Sequence, residues 1–201
     1  ELLSYGLKEI ELSGGMYSAS LLDDLINLSS NVNFQIHNYF PPPEKPFVLN
    51  LGSLDSEIGT KSYEHILRAF EWCTKLGSNY YSFHAGFLLD PGVNELGKKI
   101  TDRKLYNRDN SIEVFISRIK KLNEVAKKLN ITLMIENNVL SKNNSLEFKS
   151  NPLLMCQPEE CKEIFNCLPE NIKLLVDVAH LKVSANSLKF NPNKMFKMCD
   201  D

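Results

Sequence analysis

The sequence has no run of roughly 18 apolar residues and no basic stretch leading into an apolar one at its start. Neither a membrane span nor a secretory leader is therefore visible, and a cytoplasmic protein is expected. Charge of one sign is also missing. The 23 Lys and Arg residues face 25 Asp and Glu, a net charge of −2, too little to draw the whole chain to nucleic acid or to a membrane surface. The five cysteines, Cys73, Cys156, Cys161, Cys167 and Cys199, are odd in number and form no C-x-x-C pair. That argues against a disulfide framework or zinc ribbon and for reduced thiols packed as small buried hydrophobes. Histidine is scarce, with four residues in the chain.

What is present is ordinary for a folded protein. Apolar residues make up 43% and charged residues 24% of 201 positions, enough for one domain with a real core. Residues 1–5 read as the last turn of a helix closed by Gly6, and residues 195–201 as the start of another helix or a linker. The chain is accordingly expected to be incomplete at both ends.

Four apolar, β-branched or aromatic runs share one design, each ending on a polar residue suited to metal binding or catalysis: 32–37 (VNFQIH), 80–84 (YYSFH), 131–136 (ITLMIE) and 172–177 (IKLLVD). A fifth run, 7–13 (LKEIELS), alternates and then meets Gly14-Gly15 as a strand meets a turn. Nearly continuous hydrophobicity is the mark of strands covered on both faces of a parallel sheet. Between the runs lie helical patterns at 18–28, 62–76, 111–129 and 158–167, with Asn110 or Ser111 as the expected cap of the third and Gly77 as the stop of the second. Strand and helix alternate throughout, so a single α/β domain over 1–201 is the simplest architecture.

Three of the four histidines, His37, His84 and His180, fall at or just beyond the end of a strand run, together with Glu136 and Asp177. Parallel strands converge at their C-terminal ends, and imidazole plus carboxylate makes a ligand set for a divalent ion. A carboxylate at the end of ITLMI is poorly tolerated unless it is paired or coordinated. His65, beside Glu64 and Arg68, reads as a surface residue. The cluster Lys98, Lys99, Arg103, Lys104 and Arg108, offset by Asp90, Glu95, Asp102 and Asp109, reads first as a solvated loop and otherwise as the one phosphate-facing patch.

The segments FQIHNYF, SFHAGF, MIENNV and VDVAHLKVSA, in this order and spacing, resemble the xylose isomerase-like TIM-barrel superfamily, which holds sugar-phosphate isomerases and epimerases and the endonuclease IV class of apurinic-site nucleases. The resemblance runs from about residue 7 to about residue 185. It implies a (β/α)8 barrel seen as a fragment with about five of eight strands. It also implies Glu136 and Asp177 as metal ligands and His180 as a ligand or substrate contact. His37 and His84 match segments that supply zinc ligands in the nuclease branch, and Leu49-Asn50-Leu51 resembles that branch's I-N-L stretch.

Two activities follow from the resemblance. In an isomerase or epimerase, Glu136 would carry the proton next to a metal-bound carbonyl, His180 would hydrogen-bond the sugar, and Asn38, Asn137 and Asn138 would read its hydroxyls. The ion would be zinc or manganese, with magnesium or cobalt as further candidates, and the partner a small sugar or sugar phosphate. In an endonuclease IV-like phosphodiesterase, two or three zinc ions held by His37, His84, Glu136, Asp177 and His180 would act on abasic DNA. A metal-free relative serving as a binding module is the third reading, and a homo-oligomer is left open.

Overall fold

In the computed structural model, residues 5–200 are described, and the expected alternation is the observed one. The chain runs β1 (Glu9–Leu12), α1 (Leu21–Leu28), β2 (Asn33–His37), α2 (Ser56–Leu76), β3 (Tyr80–His84), α3 (Arg108–Lys128), β4 (Thr132–Glu136), α4 (Lys142–Phe148), α5 (Pro158–Asn166), β5 (Lys173–Leu175), α6 (Val178–Leu188) and α7 (Asn193–Asp200). The five strands form one sheet in the order β1-β2-β3-β4-β5, and every pairing is parallel. Each connection advances one strand and returns through helix, which is how the wall of a β/α barrel is built.

Alternation along the strands divides labour between the two faces of this wall. Ile36 of β2, Tyr81 and Phe83 of β3, and Leu133 and Ile135 of β4 are fully buried. They form one core with Ile66 and Phe70 of α2 and Phe115, Ile119 and Leu122 of α3. The residues of opposite parity, His37, Ser82, His84 and Glu136, are thereby turned to the other face. The register lines them up across strands, His37 beside Ser82 and His84 beside Glu136.

The helices differ from the sequence expectation mainly at their starts. α2 begins six residues before position 62, because the Asp55 side chain caps it by accepting from the backbone N–H of Glu57 and Ile58. Gly59 in its first turns leaves room for the Arg118 guanidinium, which reaches past to the carbonyls of Leu51 and Ser53. α3 is capped by Asn107, which accepts from Asn110 N–H, rather than by Asn110 or Ser111. α4 and α6 were not expected from the sequence: the first is short and polar, and the second follows β5 with no loop to announce it. The reading of 195–201 as a helix start agrees with α7, whereas residues 1–4 lie outside the described ones. Cys73, Cys156 and Cys161 are buried as expected, but Cys167 and Cys199 are exposed, since each stands at the outer end of a surface helix.

The loops after β2 and β3 are tied together by Asn50, which is fully buried. Its Nδ2 donates to the carbonyls of Phe87 and Leu89 and to Asp90 Oδ1, while its Oδ1 accepts from Gly52 and Phe87 N–H. Gly86 passes so close, at φ +115°, that a Cβ there would lie 2.7 Å from Asn50 Oδ1. Asn50→Ala leaves these buried backbone groups without partners, and a loss of about 2–4 kcal/mol is expected in urea unfolding. A loss within the range of a surface substitution would contradict this role.

Candidate metal-binding and catalytic site

Five side chains expected from the sequence meet at the C-terminal end of the sheet. Glu136, the last residue of β4, is 4% exposed. Its Oε2 lies 3.2 Å from His37 Nε2 at the end of β2 and 3.7 Å from His84 Nδ1 at the end of β3. Its Oε1 lies 2.9 Å from Nδ1 of His180 on α6. Asp177 caps α6 through Oδ1, which accepts from His180 N–H at 2.7 Å, and its Oδ2 stands 4.0 Å from His180 Nε2. The i, i+3 spacing of D-x-x-H is thus a helix N-cap and the first side chain able to fold back over it.

Two sets of three are each compact enough to hold a cation: His37, His84 and Glu136, and Glu136, Asp177 and His180, with all donor atoms of a set within 4.8 Å of one another. Glu136 belongs to both. His37 is fixed by a 2.8 Å hydrogen bond between Nδ1 and the Ser82 hydroxyl, which leaves Nε2 to face the carboxylate. Burial pushes the His84 imidazole down to about 4, ahead of the opposing pull of Glu136. This ring is neutral near pH 7, and its buried Nδ1 has no hydrogen-bond partner. An unpartnered ring nitrogen facing a carboxylate fits a cation between them. The hydrogen bond to Glu136 holds the His180 imidazole above its ordinary value. Burial would raise the Asp177 carboxyl, but the His180 amide and imidazole bring it below the usual range.

The three asparagines divide. Asn137 is 1% exposed, and its amide is committed to the backbone of Asp177, accepting from N–H at 2.8 Å and donating to the carbonyl at 3.1 Å. These two bonds fix Asp177. Asn138 donates to the carbonyls of Gly86 and Leu154 and also lines the adjoining cavity. Asn38 lines the cavity too and sits at φ +47°, held by donating N–H to the Ser82 carbonyl and accepting from the Tyr81 hydroxyl.

The cavity has a volume of about 480 Å3, and His84 belongs to its wall. Of the basic run, Lys98 and Lys99 reach it. Lys99 pairs with Glu147 of α4, Arg103 with Glu95 and Arg108 with Glu160 of α5, so most of that charge is already paired.

His65 is the residue that the sequence misplaced. It is 5% exposed, stacks on Tyr39 at 5.3 Å between ring centroids, and meets Phe47 edge-on. Its neighbours Glu64 and Arg68 are exposed, but Ser62, Ile66, Ala69 and Phe70 share its buried face, a spacing that was available in the sequence. It backs the Asn38-Tyr39 segment of the cavity wall.

Comparison with known proteins places this arrangement among others. The family model described as xylose isomerase-like TIM barrel matches residues 1–194. Similar solved structures include a D-tagatose 3-epimerase-like protein, with 19% identity and a TM-score of 0.68 over 96% of this chain and 63% of that one. The D-psicose 3-epimerase of Clostridium cellulolyticum gives 14% and 0.62, over 90% and 57%. A Thermus thermophilus protein soaked with ZnCl2 gives 18% and 0.56, over 90% and 61%. At these identities the likeness is one of fold, and the chain spans less than two thirds of the length of each neighbour. No protein of curated function matches the sequence.

Burial pushes His65 down to about 4, with the Asn38 backbone pulling the other way. Between that value and the ordinary one near 6.5, the unfolded chain binds a proton that the folded chain refuses, so stability falls as pH drops through this window. The urea midpoint of metal-free protein is expected to decline from about pH 6.5 to pH 4, and His65→Gln is expected to flatten that decline. A variant with the wild-type slope would show that His65 is not kept neutral by the fold.

Proposed function

Since the chain belongs to the xylose isomerase-like TIM barrel family, we propose that it is a metal-dependent isomerase or epimerase of a small sugar or sugar phosphate. The observation that carries this reading is Glu136, a carboxylate buried to 4% exposure among three imidazoles beside Asp177, at the strand ends where barrels of this kind do chemistry. Neighbours of the same fold named as ketose 3-epimerases support it.

Glu136 and Asp177 would hold the ion, with His180 as third donor or as hydrogen-bond partner of the sugar's oxygens. When bound, zinc or manganese, or else magnesium or cobalt, supplies the Lewis acidity that acidifies a C–H next to a carbonyl. Glu136 then accepts that proton on a carboxylate oxygen. Returning it to the neighbouring carbon, while the adjacent hydroxyl's proton passes to the former carbonyl oxygen, isomerises the sugar; epimerisation needs a second acid to protonate the same carbon from the opposite face while Glu136 keeps the proton it took. Asn38 orients hydroxyl groups at the cavity wall, and Asn137 keeps Asp177 in place.

One observation favours a second reading. His37, His84 and Glu136 form an additional set of donors, which suits a phosphodiesterase with two or three zinc ions acting on abasic DNA, with Asp177 and His180 in the other set. Against it, three of the five nearby basic residues, Lys99, Arg103 and Arg108, are already paired with acids.

Incubating the protein with manganese or zinc and a ketose panel in D2O is expected to give solvent exchange at the carbon next to the carbonyl, abolished by chelator. Glu136→Gln should slow it by about 10²–10⁴-fold while retaining the folded far-UV spectrum. Two or more bound zinc ions, cleavage of abasic DNA and no exchange would establish the second reading instead. Absence of bound metal together with no exchange would leave a binding module.

A further inference from the structure

The cavity beside the cluster is lined in a way that a plain sugar would not require. Its volume of about 480 Å3 equals some sixteen waters at ~30 Å3 each in the liquid, whereas a ketohexose has twelve non-hydrogen atoms. Tyr39, Phe47, Val48, Leu96, Val139 and Leu153 present carbon to this space. Leu96 and Val139 remain 44% and 38% exposed, apolar surface left open next to a polar site.

Much of the polar part of the wall is already engaged. Asn138 donates to Gly86 and Leu154, and Asn144 accepts from Ile100 N–H and donates to the Lys98 carbonyl. The Glu95 carboxylate accepts from Gly92 and Thr101 N–H and from Arg103. That leaves Asn38, Ser141, Asn143, Lys98 and His84 to meet hydroxyls or an anionic group, while a hydroxyl set against Phe47 or Val139 would exchange water for carbon.

Building on the isomerase reading above, we propose that the substrate is a sugar bearing an apolar substituent away from its reacting carbonyl, a deoxygenated carbon or an acyl group, seated against Phe47, Leu96 and Val139. The carbon wall selects it over the fully hydroxylated sugar. The cavity meets the strand-end cluster at His84, which belongs to its wall together with Asn38 and Asn138 and faces Glu136 at 3.7 Å.

The test is a set of dissociation constants, measured by calorimetry on the metal-loaded chain, for D-fructose and its derivatives with hydrogen or an acetyl ester in place of the hydroxyl at carbon 6. At least one derivative is expected to bind about tenfold or more tightly than the parent, and the better of the two identifies the substituent. Val139→Asn, at an exposed position where folding is not at stake, is expected to bring that ratio close to one. Equal or tighter binding of D-fructose, no binding by any of the three, or an unchanged ratio in the variant would overturn the proposal. Exchange in D2O is followed on the same sugars: its absence throughout counts against the isomerase reading, while the affinity ratio still decides the role of the wall.

Discussion

Burying a carboxylate costs several kcal/mol unless charge or hydrogen bonds answer it, and the strand-end structure is arranged around that requirement at Glu136. One oxygen faces His180, whose proton the carboxylate holds in place, and the other faces His37 and His84. Burial has made His84 neutral and left its inner nitrogen without a partner. The two oxygens therefore see different surroundings, His180 on one side and His37 with the neutral His84 on the other. A cation entering this space would displace protons on one side and find ready donors on the other, so its binding and the protonation of the cluster are a single equilibrium.

The donors depend on partners that touch no ligand. Ser82 sets the orientation of His37, the Asn137 amide grips both backbone groups of Asp177, and Tyr81 and Ser82 hold Asn38 in a backbone conformation that few side chains adopt. Tyr81 belongs to the core by its ring, and its hydroxyl donates to the carbonyl of Asn38 in the cavity wall, so packing between sheet and helices reaches the geometry of the site.

The barrel wall was legible in the sequence because its signals are local. Runs such as ITLMIE and YYSFH announce both a strand and the polar residue at its end, and parity then decides which face that residue shares with its neighbours. The gathering of His37, His84, Glu136, Asp177 and His180 follows once the strands are parallel and in sequential order. Asn137 was less legible: next to Glu136 it reads as one more polar residue at the sheet edge, and only the approach of Asp177 across the sheet, forty positions later, reveals its use. His65 was misread because two charged neighbours outweighed the buried period of its helix. The cavity wall was not legible at all, since Phe47, Leu96 and Val139 come from three loops whose meeting no periodicity encodes.

Asn50 joins the segments after β2 and β3 through four hydrogen bonds, with Gly86 threaded beside it. Those segments also supply Phe47 and Leu96 to the wall of the same space. The two loops therefore behave as one mechanical part. Lengthening or exchanging either of them alone would pull on the other, so new ligand preferences in this scaffold have to be grafted as a matched pair of loops, with the asparagine and the glycine carried along as their hinge pin.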